Sequence, residues 1–378
     1  MHVSTGRPTV AQIDGAALRH NLAAIRNGLA HANVALLAVV KADAYGHGAA
    51  LVAPLLEPGV EAFGVATVEE AIELRTVGVR KPILVLAGAM GSQLEAVLTH
   101  QLSVALVDRS MLAEWRAALR GRQLTVHLKV DTGMGRLGVT PSELPALLED
   151  LRGAPEIVVA GIFSHFANAN LSDDEIYAFQ LQQFQQALAT AVAAGVRPAF
   201  VHLANSTGAL VQPTSHFTMV RPGVALYGIA PMADCPVALA PAMRLVTRII
   251  QLKSVAAERP LSYGQTFITR RPSRIATIPI GYADGYDRRL SNRGFVLVRG
   301  QRAPIVGLVC MDLTLIDVTD VAGVEPHDEV VLWGTQGDAR ISVEEVAGWQ
   351  DSIAYEVLTR LGKRVTRVLH DDEVGRNA

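Results

Sequence analysis

The chain has 378 residues, half of them hydrophobic, enough for a large core and for more than one ordinary domain or a barrel with an appendage. A formal net charge of -2 gives no reason to expect nucleic acid or an anionic membrane surface as a partner, and no apolar stretch approaches the roughly 20 residues of a membrane helix. Two distant cysteines, Cys235 and Cys310, make neither a disulfide framework nor a metal-ligand spacing, the eleven histidines show no HxxxH or HExxH pattern, and the start has no signal-peptide core; the expectation is a cytoplasmic protein without a metal site.

In chain order, residues 34–40 are seven apolar residues with β-branched members and predict a buried strand. Lys41 follows, in the string VVKADAYGHG. A lysine there either snorkels off the strand end or, if buried, has a lowered pKa and an amine able to attack a carbonyl near neutral pH. Further apolar runs at 62–66, 83–87, 104–107, 125–130, 158–163, 200–203 and 224–226 alternate with amphipathic stretches at 68–77, 92–100 and 109–120. The clearest helix starts with a capping box of Ser172 and Glu175, continues through Ile176, Phe179, Phe184, Leu188 and Val192, and meets Gly195, placed to close it. Eight such repeats predict a parallel sheet closed into a (β/α)8 barrel, with an open doubly wound sheet as the rival. In a barrel all strand ends share one face, so Lys41, Asp108, Asp131, His165, Asn205, Ser206 and Arg221 become neighbours. Loop polarity alone accounts for Asp108; it accounts less well for a lysine, a histidine and an arginine together.

Two glycine-rich strings in this half bear on ligand class. HLKVDTGMGRLG holds a GxGxxG at Gly133, Gly135 and Gly138, but it lies in the fifth repeat, and the acids about twenty residues on, Glu149 and Asp150, fall inside a helical pattern. A tight turn bringing Lys129, Asp131 and Arg136 together fits better than a dinucleotide fingerprint. RPGVALYG, from Arg221, sets an arginine beside a glycine whose bare backbone suits a phosphate, with the Ser206 hydroxyl as a further donor; an ordinary strand-to-loop turn is the plain alternative.

Beyond about residue 240, past Pro231, Pro236 and Pro241, the texture changes to strand-like runs at 244–255, 275–279, 295–298, 305–309 and 313–318 with little helix between them. Residues 299–302 read as a hairpin turn, and a short helix is expected near Val343–Trp349. SYG at 262–264 and GYADGY at 281–286 place tyrosines in glycine-flanked loops, where they serve as anchors or, beside a cation, as bases.

VVKADAYGHG, KVDTGMGRLG, RPGVALYG, SYGQTF, GYADGYDRRLSN and GLVCMDLTLIDV, bracketed by RPTVAQID and IAYEVLTRLGKRV, resemble in order the motifs of the alanine racemase family, enzymes that use pyridoxal 5'-phosphate (PLP). The resemblance runs over nearly the whole chain. It implies interconversion of L- and D-alanine by two bases, for peptidoglycan supply or alanine catabolism. It also implies an N-terminal PLP-binding barrel over residues 1–240 and a C-terminal mainly β domain over 241–378, into which the first dozen residues pair, with a homodimer that shares its active sites. Residue by residue, Lys41 would hold PLP and act as one base, and Tyr263 of the partner as the other. Tyr45, Ser206, the Gly223 and Val224 backbone and Tyr355 would hold the phosphate. Arg221, with a pKa above about 12, would bond the pyridine nitrogen without yielding its proton. His165 would lie against the ring and link Tyr263 toward Arg221, and His165, Arg221 and Arg136 would form a cationic network that favours the Tyr263 phenolate. Arg136 would position the cofactor's phenolic oxygen and the substrate carboxylate, held by Lys129, which many members carry carbamylated. Met311 and Asp312 would reach the partner's site, with Tyr282 and Arg288 at its entrance. Phe267 stands where many members carry Tyr or Trp, which bears on the entrance and not on the base. Related readings on the same scaffold are a broad-specificity or serine racemase, a PLP carrier, which lacks a second domain, and a decarboxylase, which needs other C-terminal motifs.

Overall fold

A computed structural model of the chain, describing residues 6–168, 174–232 and 234–371, opens with strand β1 (Val10–Asp14) and helix α1 (Gly15–Asn27). The barrel unit spans Ala17–Ala44 and Ala49–Ala240. It runs through β2 (Ala35–Val39), a left-handed segment α2 (Lys41–Tyr45), α3 (Ala49–Leu56), β3 (Ala62–Val65), α4 (Val68–Thr76), β4 (Ile83–Val85) and α5 (Leu94–Thr99). It continues with β5 (Ser103–Leu106), α6 (Ser110–Leu119), β6 (Leu124–Lys129), α7 (Leu144–Arg152), β7 (Ile157–Phe163), α8 (Asp174–Ala193), β8 (Phe200–His202), α9 (Ser206–Val211) and β9 (Met219–Val220). Strands β2 to β9 form a closed parallel barrel, sealed where Ala35 and Leu36 pair with Met219 and Val220, which excludes the open sheet. Helices cover the outer face and side chains fill the inner one, so the strands are buried throughout and read as continuous apolar runs.

One expected strand is absent. Residues 224–226 lie in a 3-10 turn, and the eighth strand is the two-residue β9 before them. Pro222 lacks the amide a ladder needs, and Gly223, at φ -123 and ψ -89, turns the chain away. Ser172 of the expected capping box lies outside the described residues; Gly195, at φ +89, donates to Val192 O at 3.0 Å and closes α8 as its position foretells.

The second unit comprises Met1–Ala16, Tyr45–Gly48 and Pro241–Ala378. To β1 it adds β10 (Met243–Arg248), β11 (Gln251–Val255), β12 (Pro260–Leu261), β13 (Phe267–Ile268), β14 (Ser273–Ile278), β15 (Phe295–Val298), β16 (Gln301–Pro304), β17 (Thr314–Asp317), β18 (Glu329–Gln336), β19 (Ala339–Ile341), α10 (Val343–Trp349), α11 (Ala354–Thr359) and β20 (Thr366–His370). One sheet has the order β16-β15-β18-β10-β1-β20 with β19 on β18; another is β11-β14-β17. The run 244–255 is two strands, because Ile249 N–H pairs with Asp328 O while Ile250 N–H pairs with Thr277 O, handing the chain from one sheet to the other. The hairpin turn is only Arg299-Gly300, both at positive φ, and Gln301 and Arg302 already belong to β16. The expected strand 305–309 reduces to a single bridge, Ile305 to Ile316, since Gly307 at φ +74 turns it aside.

Candidate active site

Lys41 leaves β2 directly into the left-handed segment, where Ala42, Asp43 and Ala44 hold φ 52–54 and ψ 48–51 and Tyr45 has φ 53. A left-handed turn of L-residues costs about 1–2 kcal/mol per residue, so it persists only where the surroundings hold it. Ala44 N–H donates to Val40 O at 2.9 Å, and the Asp43 carboxylate accepts from Ala49 N–H at 2.7 Å. The half-buried Lys41 amine is lowered from its ordinary value, first by burial, then by Arg136 and Arg221, against the opposing charge of Glu70.

The barrel interior carries a polar layer that the apolar strands conceal. Alternation along β6 turns His127 and Lys129 to one side, and β8 contributes His202. Arg221, 4 % exposed, donates through Nη1 to His202 Nδ1 at 3.1 Å and through Nη2 to Ser164 O at 2.7 Å, Leu203 O at 3.1 Å and His165 Nδ1 at 3.2 Å. None of these bonds uses Nε–H, which remains a donor for a ligand. Because Arg221 can only donate, His202 Nδ1 is the acceptor, its Nε2 carries the proton, and that proton goes to His127 Nδ1 at 2.8 Å. By the same reasoning His165 presents its Nε2–H outward. Gly161 makes room for the His127 ring, since a Cβ there would stand 2.2 Å from Nδ1.

Electrostatics revise two expectations. His165 is held well below the usual histidine range, first by burial and then by Arg221, Lys129, Arg136 and Lys41, so at neutral pH it is an uncharged donor and no member of a cationic network. Burial pushes Arg221 down to about 9 instead of leaving it above 12; its four acceptors and the Phe163 ring, 5.4 Å away, hold it charged at neutral pH. Lys129, over the same ring at 5.2 Å, is brought to about 7, first by burial and then by Arg221.

The glycines after Lys129 shape a turn. Asp131 Oδ1 accepts from the amides of Gly133, Met134 and Gly135, at 3.0, 2.9 and 3.1 Å, and Val139 closes the loop on Lys129 O at 3.0 Å. Gly138, at φ +111, lets the loop return, because a Cβ would lie 2.8 Å from Lys129 O. Burial pushes the Asp131 carboxyl up, but the three amides outweigh it and keep it below the usual range. Arg136, exposed on this turn, acts electrostatically on Lys41, Lys129 and His165. The structure therefore gathers Lys41, Lys129, Arg136, His165 and Arg221 at one end of the barrel. Ser206 lies beside them in the unit: its Oγ accepts from Gly223 N–H at 2.9 Å and Ala225 N–H at 3.3 Å, which leaves its own proton for a ligand.

In the β unit the rings of Tyr45 and Tyr355 lie 6.1 Å apart, and burial raises both phenols, so both are O–H donors at neutral pH. Tyr263 is 73 % exposed. The preceding Ser262, at φ +63, is fastened by its Oγ to Leu308 O at 2.8 Å. Tyr282 N–H and Ala283 N–H donate to Cys310 O and Met311 O, both at 3.0 Å, joining the GYADGY and CMD loops. Arg364 reaches both Asp312 (2.7 Å) and the buried Asp284 (3.1 Å), and Arg7 adds two 2.8 Å bonds to Asp284. Tyr282 and Met311 are exposed, as is Arg288. Sequence reading passed over His127, His202 and Glu70. A histidine two residues before a strand-end lysine was the available signal for His127; nothing in the sequence marks Glu70 as a partner of Ala42.

A half-buried lysine amine lowered from its ordinary value, an arginine with one N–H left over and a serine hydroxyl backed by two amides fit an aldehyde-bearing pyridine ring with a phosphate arm, the donor set of a barrel-type PLP enzyme. The alanine racemase N-terminal domain matches residues 13–231 and the C-terminal domain residues 242–369. The alanine racemase of Symbiobacterium thermophilum is 46% identical over 96% of this chain and 97% of its own length. That of Sorangium cellulosum is 44% identical over 96% and 98%. The crystal structure of alanine racemase from Bacillus anthracis with bound L-Ala-P superposes with a TM-score of 0.93 at 35% identity, covering 97% of this chain and 96% of that one. The chain belongs to the alanine racemase family.

Proposed function

We propose that this chain is a PLP-dependent isomerase that interconverts L-alanine and D-alanine. The observation that carries the reading is the convergence of Lys41, Arg221 and His165 at one end of the barrel, with the Lys41 amine lowered from its ordinary value, first by burial. PLP, when bound, supplies the electron-withdrawing ring that accepts charge from the substrate's α-carbon. Lys41 would hold the cofactor and move a proton at its Nζ on one face of the α-carbon. Tyr263 of a second copy of the chain would move a proton at its phenolic oxygen on the other. Arg221 would donate its free Nε–H to the ring nitrogen and keep its proton. Ser206 and the Gly223 and Val224 backbone would bind the phosphate, with the hydroxyls of Tyr45 and Tyr355 as further donors. Arg136 would bind the substrate carboxylate. The neutral Lys129 amine would add CO2, forming an N–C bond and releasing one proton, and the resulting carbamate would pair with Arg136; a mass gain of one CO2 on the Lys129 peptide tests this.

Dimer formation is supported by the exposed Tyr263, Met311 and Tyr282 on neighbouring loops, where Asp312 and Arg288 would line the entrance. A boundary near residue 240 is supported by the two matched family segments. No helix among the described residues is long and apolar enough to cross a membrane. The enzyme proposed here would act in the cytoplasm, supplying D-alanine for peptidoglycan or serving alanine catabolism. The test is D-alanine formation from L-alanine by the PLP-loaded protein, with L-serine as control. Racemisation of alanine lost in Lys41→Ala is expected; an inactive parent that binds PLP would overturn the reading.

A further inference from the structure

We propose that Glu70 is a positioning residue for Lys41, clamping the left-handed turn that follows the lysine onto the start of α4. Three backbone amides converge on this side chain. Oε1 accepts from Ala42 N–H at 2.7 Å, and Oε2 accepts from Ala66 N–H at 2.7 Å and Thr67 N–H at 3.3 Å. Thr67 Oγ1 accepts in return from Glu70 N–H at 3.3 Å. A capping box satisfies two amides within its own helix start; here the acid reaches a third amide on the preceding βα unit. That amide belongs to the first left-handed residue, immediately after Lys41. An alanine released from such a conformation reverts to an extended or right-handed one, and the lysine before it would then turn away from Arg136 and Arg221.

Charge adds a second, independent link. The groups acting on the Lys41 amine are Arg136 on the turn after β6, Arg221 after β9, and Glu70 on α4; His165 also senses the amine. Glu70 is the one anion among them. Its acidic neighbours have other places: Asp43 holds Ala49 N–H, and Glu73 acts on neither Ala42 nor Lys41 in any of these contacts. A glutamine would serve the capping box equally well, but its single carbonyl oxygen cannot accept on both sides, and it carries no charge. Clamp and cap are therefore separable.

The inference rests on Lys41 as the residue that holds PLP. The test compares holoenzyme forms of Glu70→Gln, Glu70→Ala and Glu73→Gln, the last removing the same charge from the same helix. In Glu70→Gln, amide exchange of the segment 41–46 should accelerate on the order of tenfold. Its kcat should fall on the order of tenfold, with KM for L-alanine little changed. The acid limb of its kcat profile should move to lower pH, since loss of the anion eases deprotonation of Lys41. Glu73→Gln should leave all three as in the parent. Unchanged exchange in both Glu70 variants, or equal changes in Glu73→Gln, would overturn the proposal. Borohydride reduction and peptide mapping of the parent separates the premise: a pyridoxyl label on another lysine sinks the Lys41 assignment, whatever the exchange rates show.

Discussion

Lys129 is the residue whose surroundings most change its chemistry. Its amine is buried beside the Phe163 face and repelled by Arg221, so its pKa falls from 10.5 to about 7. Between those two values the unfolded chain binds a proton that the folded one does not, so stability rises with pH through that window, and below 7 the whole burial penalty remains. Lys129→Met should accordingly raise Tm over the parent most at pH below 7, with the gain shrinking toward pH 10.5, in CO2-free buffer. Melting curves across that range check it; a Tm difference independent of pH would contradict it. Strand-end position was enough to single out Lys41, His165 and Arg221 in the sequence. Their partners from other elements, His202 bonded to Arg221 and Glu70 facing Lys41, were not legible, because each is brought near by a different strand or helix of the barrel.

The elements divide along the same line. Seven of the barrel's eight strands were readable as continuous apolar runs, since burial on both faces writes itself directly into composition. The eighth was misplaced because two residues, Met219 and Val220, are too few to form a pattern, while the apolar residues after Pro222 look like a strand. The left-handed turn after Lys41 was invisible: Ala42, Asp43 and Ala44 are ordinary helix and turn residues, and hydrogen bonds to Glu70 and Ala49, outside the turn, help to hold them at positive φ. The glycine turn after β6 was legible in kind. Gly138→Ala should destabilise the protein by about 1–3 kcal/mol, since it strains a φ of +111 and drives a methyl against Lys129 O. The accompanying shift of the Arg136 turn should raise KM for alanine more than it lowers kcat. Denaturant titration with steady-state kinetics checks both, and a variant of parental stability would contradict the packing account.

At the scale of the molecule, the β unit is assembled from both ends of the chain. β1 pairs antiparallel with β10 and parallel with β20, a register such as Val10 to Thr366 that no local pattern announces beyond the apolar alternation of β1. The role proposed for the exposed Tyr263 has the same character, since it calls for a second copy of the chain. A mixture of two inactive variants, Lys41→Ala and Tyr263→Ala, tests the shared site most directly. After random subunit exchange about half the dimers are mixed, and each mixed dimer rebuilds one intact site of two, so about a quarter of the parental activity should return. Absence of recovery, with exchange verified by native mass spectrometry, would contradict a site built from Lys41 of one copy and Tyr263 of the other.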